Sequence, residues 1–359
     1  MEYNMHYKKM LDELRGKTIG LVYFFEKEDA LGGNHYWIWK SDIISGWLNA
    51  IQELECVPYI MDVRTFIQKA SYNTLPHIDF IINLNCGNYE LSSLSLVPSM
   101  CSFLAIPCIP CNAQAIVTSE NKHISNVIAT ANNINVPEYL PSTDPNGIFR
   151  PINLGSSIGI QIGSSSNAPG LYQKFISGYD ITIPIVYNPL IDALDLLPPL
   201  LYYPNSQDPK WIYGFEEKYT EEENFIKCPI LSVDTITKET LLNFAKEFPI
   251  TTYGRIDGRI DGRIKCKNNT LSKDVLQNPL SMDEFYFIEI NSMPTIELND
   301  SFDMAFKTAL SYNKCSIHQS VKQYCKIVKH ASMIGYVLSS SIIALTKAKF
   351  QNQTDSNHN

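Results

Sequence analysis

Charge, glycine and arginine are all in short supply in this chain of 359 residues. Charged side chains make up 18%, below the roughly 25% of an average soluble protein. The net charge is −8, so there is no basic footprint for a phosphate backbone, and nucleic acid is excluded as a general partner. No apolar run is long enough to cross a bilayer. The stretch 333–345 is broken by Gly335 and by Ser339, Ser340 and Ser341, and it is too short and too polar to span. The N-terminal stretch is polar, with no apolar core and no small-residue cleavage site, so no secretory signal is expected. Nine cysteines, an odd number without paired framing, point to reduced thiols. Cys108 and Cys111 make a C-x-x-C, but inside a proline-punctuated apolar run and with no second pair at zinc spacing. They read as buried thiols. A soluble cytoplasmic protein with no membrane partner is the expectation.

What little glycine and arginine there is comes clustered. Glycine occurs 17 times, a smaller share than the usual ~7%. Arginine occurs six times, at Arg15, Arg64, Arg150, Arg255, Arg259 and Arg263, and three of the six fall within nine residues. Along the chain, residues 17–25, 57–63, 77–84 and 104–110 read as strands, with a helix over 41–55. That alternation predicts a parallel α/β layer in the first ~115 residues. Residues 118–135 read as one helix, capped by Thr118 or Ser119. Further strands are expected over 148–151, 171–176, 181–186, 251–265 and 284–291, with a helix over 238–247 and mainly helix over 303–349. The polar stretch 351–359 is expected to be disordered.

Four places carry chemistry. Arg150-Pro151 leads into Gly155-Ser156-Ser157-Ile158-Gly159, whose backbone N–H groups and hydroxyls suit phosphate oxygens. Residues 173–180 (QKFISGYD) form a strand with an exposed edge ending in an acid. It offers backbone to a purine and a carboxylate to a ribose. In Tyr253-Gly-Arg255-Ile-Asp257-Gly-Arg259-Ile-Asp261-Gly-Arg263, residues two apart share a strand face. Arginine and aspartate therefore alternate on one side, either as a self-neutralising solvated face or as a working one. Finally, Glu289 and Asn291 stand two apart in 287–291 (FIEIN), oxygen donors of the kind Mg²⁺ prefers.

In this order and spacing, the four places resemble the ATP-grasp fold, and within it the D-alanine–D-alanine ligase family. Ser119-Glu-Asn-Lys122 is similar to the family's lysine opening a helix. Arg150-Pro151 with Gly155–Gly159 resembles its "KP…GSSxG" loop, and 171–180 (LYQKFISGYD) its "IEKxxxGxE" hinge. Residues 215–219 (FEEKY), followed by Cys228-Pro229, resemble the segment whose lysine meets nucleotide or substrate. Gly254-Arg255-Ile-Asp257 resembles "xRxD", and Ile288-Glu289-Ile-Asn291 with Pro294 resembles "LExNxxPG".

The resemblance implies an α/β chain, α+β in its nucleotide part, with three subdomains and ATP between the central and C-terminal ones. Residues 1–117 would form the N-terminal substrate domain, 118–178 the central subdomain with the phosphate loop, and 179–350 the C-terminal subdomain with the metal site. It implies an ADP-forming ligase that joins carboxylate to amine through an acyl phosphate, using ATP and two Mg²⁺, with Mn²⁺ as a substitute, as a homodimer. Lys122 and Arg150 would contact phosphates, and Gly155, Ser156, Ser157 and Gly159 would cover them. Lys174, Phe175 and Ile176 would line the adenine, with Gln173 nearby and Asp180 at the ribose. Asp257, Glu289 and Asn291 would hold the metal, Asp261 being the alternative to Asp257. Arg255, Lys218 and Ser156 would act in catalysis, with Arg255 on the oxyanion.

The chain departs from the family text in four places. The "HGxxGEDG" and "ExxVS" segments are missing, Arg150 replaces lysine, Gln173 replaces an acid, and Thr295 follows Pro294 where glycine is usual. The amino-acid half is thus rebuilt, and substrates other than two D-alanines are expected. Glu26, Glu28 and Asp29 are candidates for a substrate amine, Trp37 and Trp39 for a larger pocket, and Ser301 for a further substrate contact. A true D-alanine–D-alanine ligase, a nucleotide binder without turnover and a phosphorylating enzyme without ligation are the alternatives.

Overall fold

The computed structural model describes residues 2–24, 41–85, 91–164, 166–206, 208, 210–214, 217–218, 224–261, 278–328 and 332–356. Glu26, Glu28, Asp29, Trp37, Trp39 and Arg263 lie outside them.

The first layer is the α/β unit that the alternating pattern predicts. Strands β1 (Thr18–Tyr23), β2 (Val57–Asp62), β3 (Phe80–Leu84) and β4 (Cys108–Ile109) form a parallel sheet in the order β2-β1-β3-β4. The interior strands β1 and β3 are covered on both faces, which is why they read as unbroken apolar runs. Helices α1 (Glu2–Asp12), α2 (Ser41–Glu53), α3 (Val63–Ser71), α4 (Leu91–Leu94) and α5 (Leu96–Phe103) belong to this layer. α2 buries Ile43, Trp47, Ala50 and Ile51, one face at helical spacing. Asp62 opens α3 by accepting the Arg64 N–H, a standard helix cap. β4 is shorter than the 104–110 strand expected, because Leu104, Ala105 and Ile106 still donate back to the carbonyls of α5.

The helix expected over 118–135 is two helices, α6 (Ala113–Glu120) and α7 (Lys122–Ala131). The break falls at Asn121, whose backbone is extended and whose Oδ1 accepts from the His123 and Ile124 N–H groups. Asn121, not Thr118 or Ser119, is therefore the cap of α7. Next comes a small antiparallel sheet, β6-β5-β7, made of β5 (Gly147–Pro151), β6 (Gln161–Ile162) and β7 (Gly170–Lys174).

The large sheet is antiparallel, in the order β11-β10-β8-β12-β13 with β9 also on β8. Its strands are β8 (Gly178–Asn188), β9 (Ala193–Leu196), β10 (Leu200–Pro204), β11 (Phe225–Pro229), β12 (Tyr253–Asp261) and β13 (Phe285–Asn291), and α8 (Thr235–Lys246) precedes β12. The arginine–aspartate repeat lies on β12, next to the central strand β8. A Cβ on Gly258 would stand 2.2 Å from the Phe285 ring and 2.7 Å from the Tyr286 carbonyl, so this repeat glycine is what lets β13 close onto β12.

Helices α9 (Ser301–Ser311), α10 (His318–Val328) and α11 (Met333–Ser356) complete the chain. α11 continues through positions 351–356, where a disordered tail was expected. Its early turns are buried all round, with Tyr336, Leu338 and Ile342 at or below 1% exposure, and it packs on α2, where Gly46 lets Ile334 close in. Among the described residues no single helix is long and apolar enough to cross a membrane.

Candidate active site

A cavity of about 710 Å³ opens between the small sheet and the face of the large one, in the size range of small-molecule sites. It is lined by Lys122, Arg150, Gly155, Ser156, Ser157, Gln173, Lys174, Phe175, Ile176, Asp180 and Lys218, and by Arg255, Asp257, Glu289 and Asn291. Residues spread over some 170 positions of sequence are thus gathered by two sheets facing each other.

β12 and β13 set the charged floor. Asp257 lies directly opposite Glu289 and Arg255 opposite Asn291, and the register shifts just after Asp257. Asp261 pairs instead with Gly178, at the far end of β12. The geometry therefore sets Asp257, rather than Asp261, beside Glu289. Arg255 grips Asp257 through Nε and Nη2 at 2.8–3.0 Å, and Thr182 Oγ1 donates to Asp257 Oδ1 at 2.5 Å. Burial works against the Arg255 charge, but Asp257 outweighs it and holds the guanidinium above its ordinary range. Asn291 Oδ1 accepts from the Met293 N–H at 2.9 Å.

Glu289 sits 3.4 Å from Lys122 Nζ. Burial would raise its carboxyl, yet Lys122, Lys218, Arg255 and Arg150 together bring it down to about 2. It is a fixed anion among cations. Burial pulls Lys218 and Arg150 below their ordinary values, against the pull of Glu289. Arg150, 3% exposed, donates to the Ile288 carbonyl at 2.7 Å and to Gln173 Oε1 at 2.6 Å. Gln173 in turn donates to the Pro137 carbonyl. Two of the departures from the family text are thus in contact with each other.

The glycine–serine loop is strained. Ser156 and Ser157 are left-handed, at φ 54° and 61°, and Gly159 follows at φ 72°. Serine in that region is uncommon and marks sites that surrounding contacts hold in place. Those contacts are Lys122 Nζ to the Leu154 carbonyl at 2.7 Å and Lys218 Nζ to Ser157 Oγ at 3.0 Å. Gly159 packs toward Pro151, where a Cβ would meet the ring at 3.0 Å, and so shapes the loop rather than lining the cavity.

Asp180, expected at a ribose, lines the cavity, and its Oδ2 accepts from Arg259 Nη1 and from the Tyr213 N–H, both at 2.7 Å, so the repeat's second arginine holds it in place. Arg259 also donates to the Ile176 and Gly178 carbonyls and lies over the Phe175 ring, bracing the hinge. Ser301, expected to touch substrate, is 1% exposed inside the first turn of α9, and Asn299 and Asp300 line the cavity just before it. The sequence reading missed an aromatic wall, in which Tyr202 stacks on Tyr213 at 4.1 Å and both pack on Phe225. Its only signal was the tyrosine pair Tyr202-Tyr203 on β10. The Cys111 thiol, donating to the Ser292 carbonyl at 3.4 Å and pushed by burial up to about 12, is a packing group.

No family model and no curated protein matches the sequence. Solved structures do match the fold. A D-alanine–D-alanine ligase from Bacillus anthracis aligns at TM-score 0.59 and 16% identity over 93% of this chain and 100% of its own. The same enzyme complexed with ATP aligns at 0.56 and 14%, over 94% and 100%. The VanG D-Ala:D-Ser ligase from Enterococcus faecalis aligns at 0.54 and 11%, over 88% and 100%. The chain has the ATP-grasp fold of the D-alanine–D-alanine ligases. Glu120, Ser41 and Ile43 line the cavity as well. Among the described residues no three His, Cys, Asp or Glu side chains are grouped to hold a metal.

Proposed function

We propose that the protein is an ATP-dependent ligase that activates a carboxylate as an acyl phosphate and joins it to an amine, with amino-acid-type substrates. The observation that carries this is the floor of the cavity, where Arg255, Asp257, Glu289 and Asn291 stand in register on adjacent strands beneath a loop tethered by Lys122 and Lys218. Lys122, Arg150 and Lys218 would bind the triphosphate, which suits three cations converging on one cavity. The strand-end backbone of Lys174, Phe175 and Ile176 would receive the adenine. Arg255 would stabilise negative charge on the tetrahedral oxygen, and the loop with Ser156 and Ser157 would exclude water.

The donor set fits Mg²⁺. Asp257 and Glu289 bring carboxylates and Asn291 an amide oxygen, all oxygen donors as a hard cation prefers, and Glu289 is held ionised. When bound, the ion would neutralise charge on the transferring phosphoryl group. The fold neighbours' substrates, two D-alanines or D-alanine with D-serine by their names, are the first to test. The missing family segments favour a different pair. A second reading, nucleotide binding without turnover, is favoured by one observation: both Asp257 oxygens are taken by Arg255.

The test is a screen of ADP release over pairs of L- and D-amino acids, with mass spectrometry of products. The expected outcome is ADP formed together with an amide for at least one pair. Measurable Mg-ATP binding with no ADP from any pair overturns the ligase reading in favour of the second.

A further inference from the structure

Glu120 has no role in the proposed binding of ATP or metal, yet it lines the same cavity. It is the last residue of α6, where the carbonyl end of a helix disfavours an anion. Its place is fixed. Ser119 Oγ meets Ser292 Oγ at 2.8 Å and Cys111 Sγ donates to the Ser292 carbonyl, bolting α6 to the segment that follows Asn291. Arg255, Lys122 and Glu289 all act on it electrostatically.

The cavity's other acids have partners. Asp180 has Arg259, Asp257 has Arg255, Glu289 has Lys122 and Asp300 has Lys227; Glu217 accepts from the Gly214 N–H, and Glu297 is engaged as well. Among the described residues lining the cavity, Glu120 is the carboxylate with neither a hydrogen bond nor an ion pair. An amino acid is a zwitterion, with its ammonium a few ångströms from its carboxylate. A fixed guanidinium and an unpaired carboxylate facing one cavity match that pair of charges.

We propose that Glu120 receives the ammonium group of the amino acid whose carboxylate lies at Arg255. The proposal rests on the ligase reading. Burial pushes the Glu120 carboxyl up to about 7, Glu289 adding to the shift while Lys122 and Arg255 oppose it. An arriving ammonium offsets that burden and leaves the carboxylate ionised. The site thereby selects amino acids over acids that lack the amine.

The experiment uses the full chain with Mg-ATP and hydroxylamine as a general amine acceptor. The donor is the amino acid best used in a survey of L- and D-forms, compared with the same acid lacking its amino group. Wild type prefers the amino acid. Glu120→Gln lowers kcat/KM for the amino acid about tenfold or more, as loss of a charged hydrogen bond does. It leaves the deaminated acid and the KM for ATP within about twofold. Glu120→Asp restores part of the preference. Equal loss for both acids, or no loss for either, overturns the proposal while the ligase reading stands. Mg-ATP binding without ADP from any donor in wild type removes the ligase reading and this proposal with it.

Discussion

Two walls of one cavity are built on opposite principles. On the side formed by the two facing sheets charges come in made pairs: Glu289 with Lys122, Asp257 with Arg255, Asp180 with Arg259. On the side reached by α2 and the end of α6, Ser41, Ile43 and Ser119 line the cavity and Glu120 stands without a partner. The same burial therefore gives opposite results. Glu289, ringed by cations, titrates near 2, whereas Glu120 titrates near 7. The paired wall is preorganised for a ligand of fixed charge. The unpaired wall is completed only when a ligand brings the missing charge.

The largest test breaks the paired wall. Glu289→Gln is expected to lower Mg²⁺-dependent ADP formation on the order of a thousandfold, from several kcal/mol of lost charge stabilisation, with the circular dichroism spectrum unchanged. Normal turnover in that variant would sink the metal assignment. Next comes the register. Asp257→Asn should approach the Glu289 variant in turnover, while Asp261→Asn, four residues down the strand and opposite Gly178, should stay close to wild type. The reverse order would move the site along β12.

The unpaired wall is tested through pH, without substrate. A carboxyl raised from its usual 4.5 to about 7 contributes stability that is fully present below pH 4.5 and lost as pH rises through 7. Glu120→Gln carries no such penalty. Denaturation should show the variant gaining on wild type between pH 5 and 8, by up to about 3 kcal/mol, and no divergence below pH 4. A constant offset across that range contradicts the wall's description. The smallest effect concerns Arg150 and Gln173. Arg150→Lys, Gln173→Glu and the double variant should couple in stability by about 1 kcal/mol, because the two side chains touch. Strict additivity would make their joint departure from the family text a coincidence.

The paired wall was legible because its residues come in short motifs whose spacing survives in one dimension. Glu289 and Asn291 are two apart on a strand, and the repeat alternates with the same period. The unpaired wall was not. Glu120 looks into the cavity because α6 ends there and α7 restarts at Asn121, and the apolar pattern of 118–135 runs across that break without a mark. The Arg259–Asp180 tie depends on a register between β8 and β12 that no local pattern carries. β1, β3 and β8 were readable as buried runs. α1, with Tyr7 at 1% exposure on an otherwise polar segment, was not, since its burial comes from docking rather than from periodicity.

The packing of α11 onto α2 has a consequence for synthesis. One close approach, Gly46 against Ile334, joins positions nearly 290 residues apart in the chain. Tyr7 of α1 likewise reaches across to Pro189 and to Tyr324 of α10. The first layer is made well before its cover, because α1 and α2 pack against α10 and α11, far along the chain. Until those helices are made the nascent chain carries an uncovered apolar face, the interval in which aggregation competes and chaperones bind.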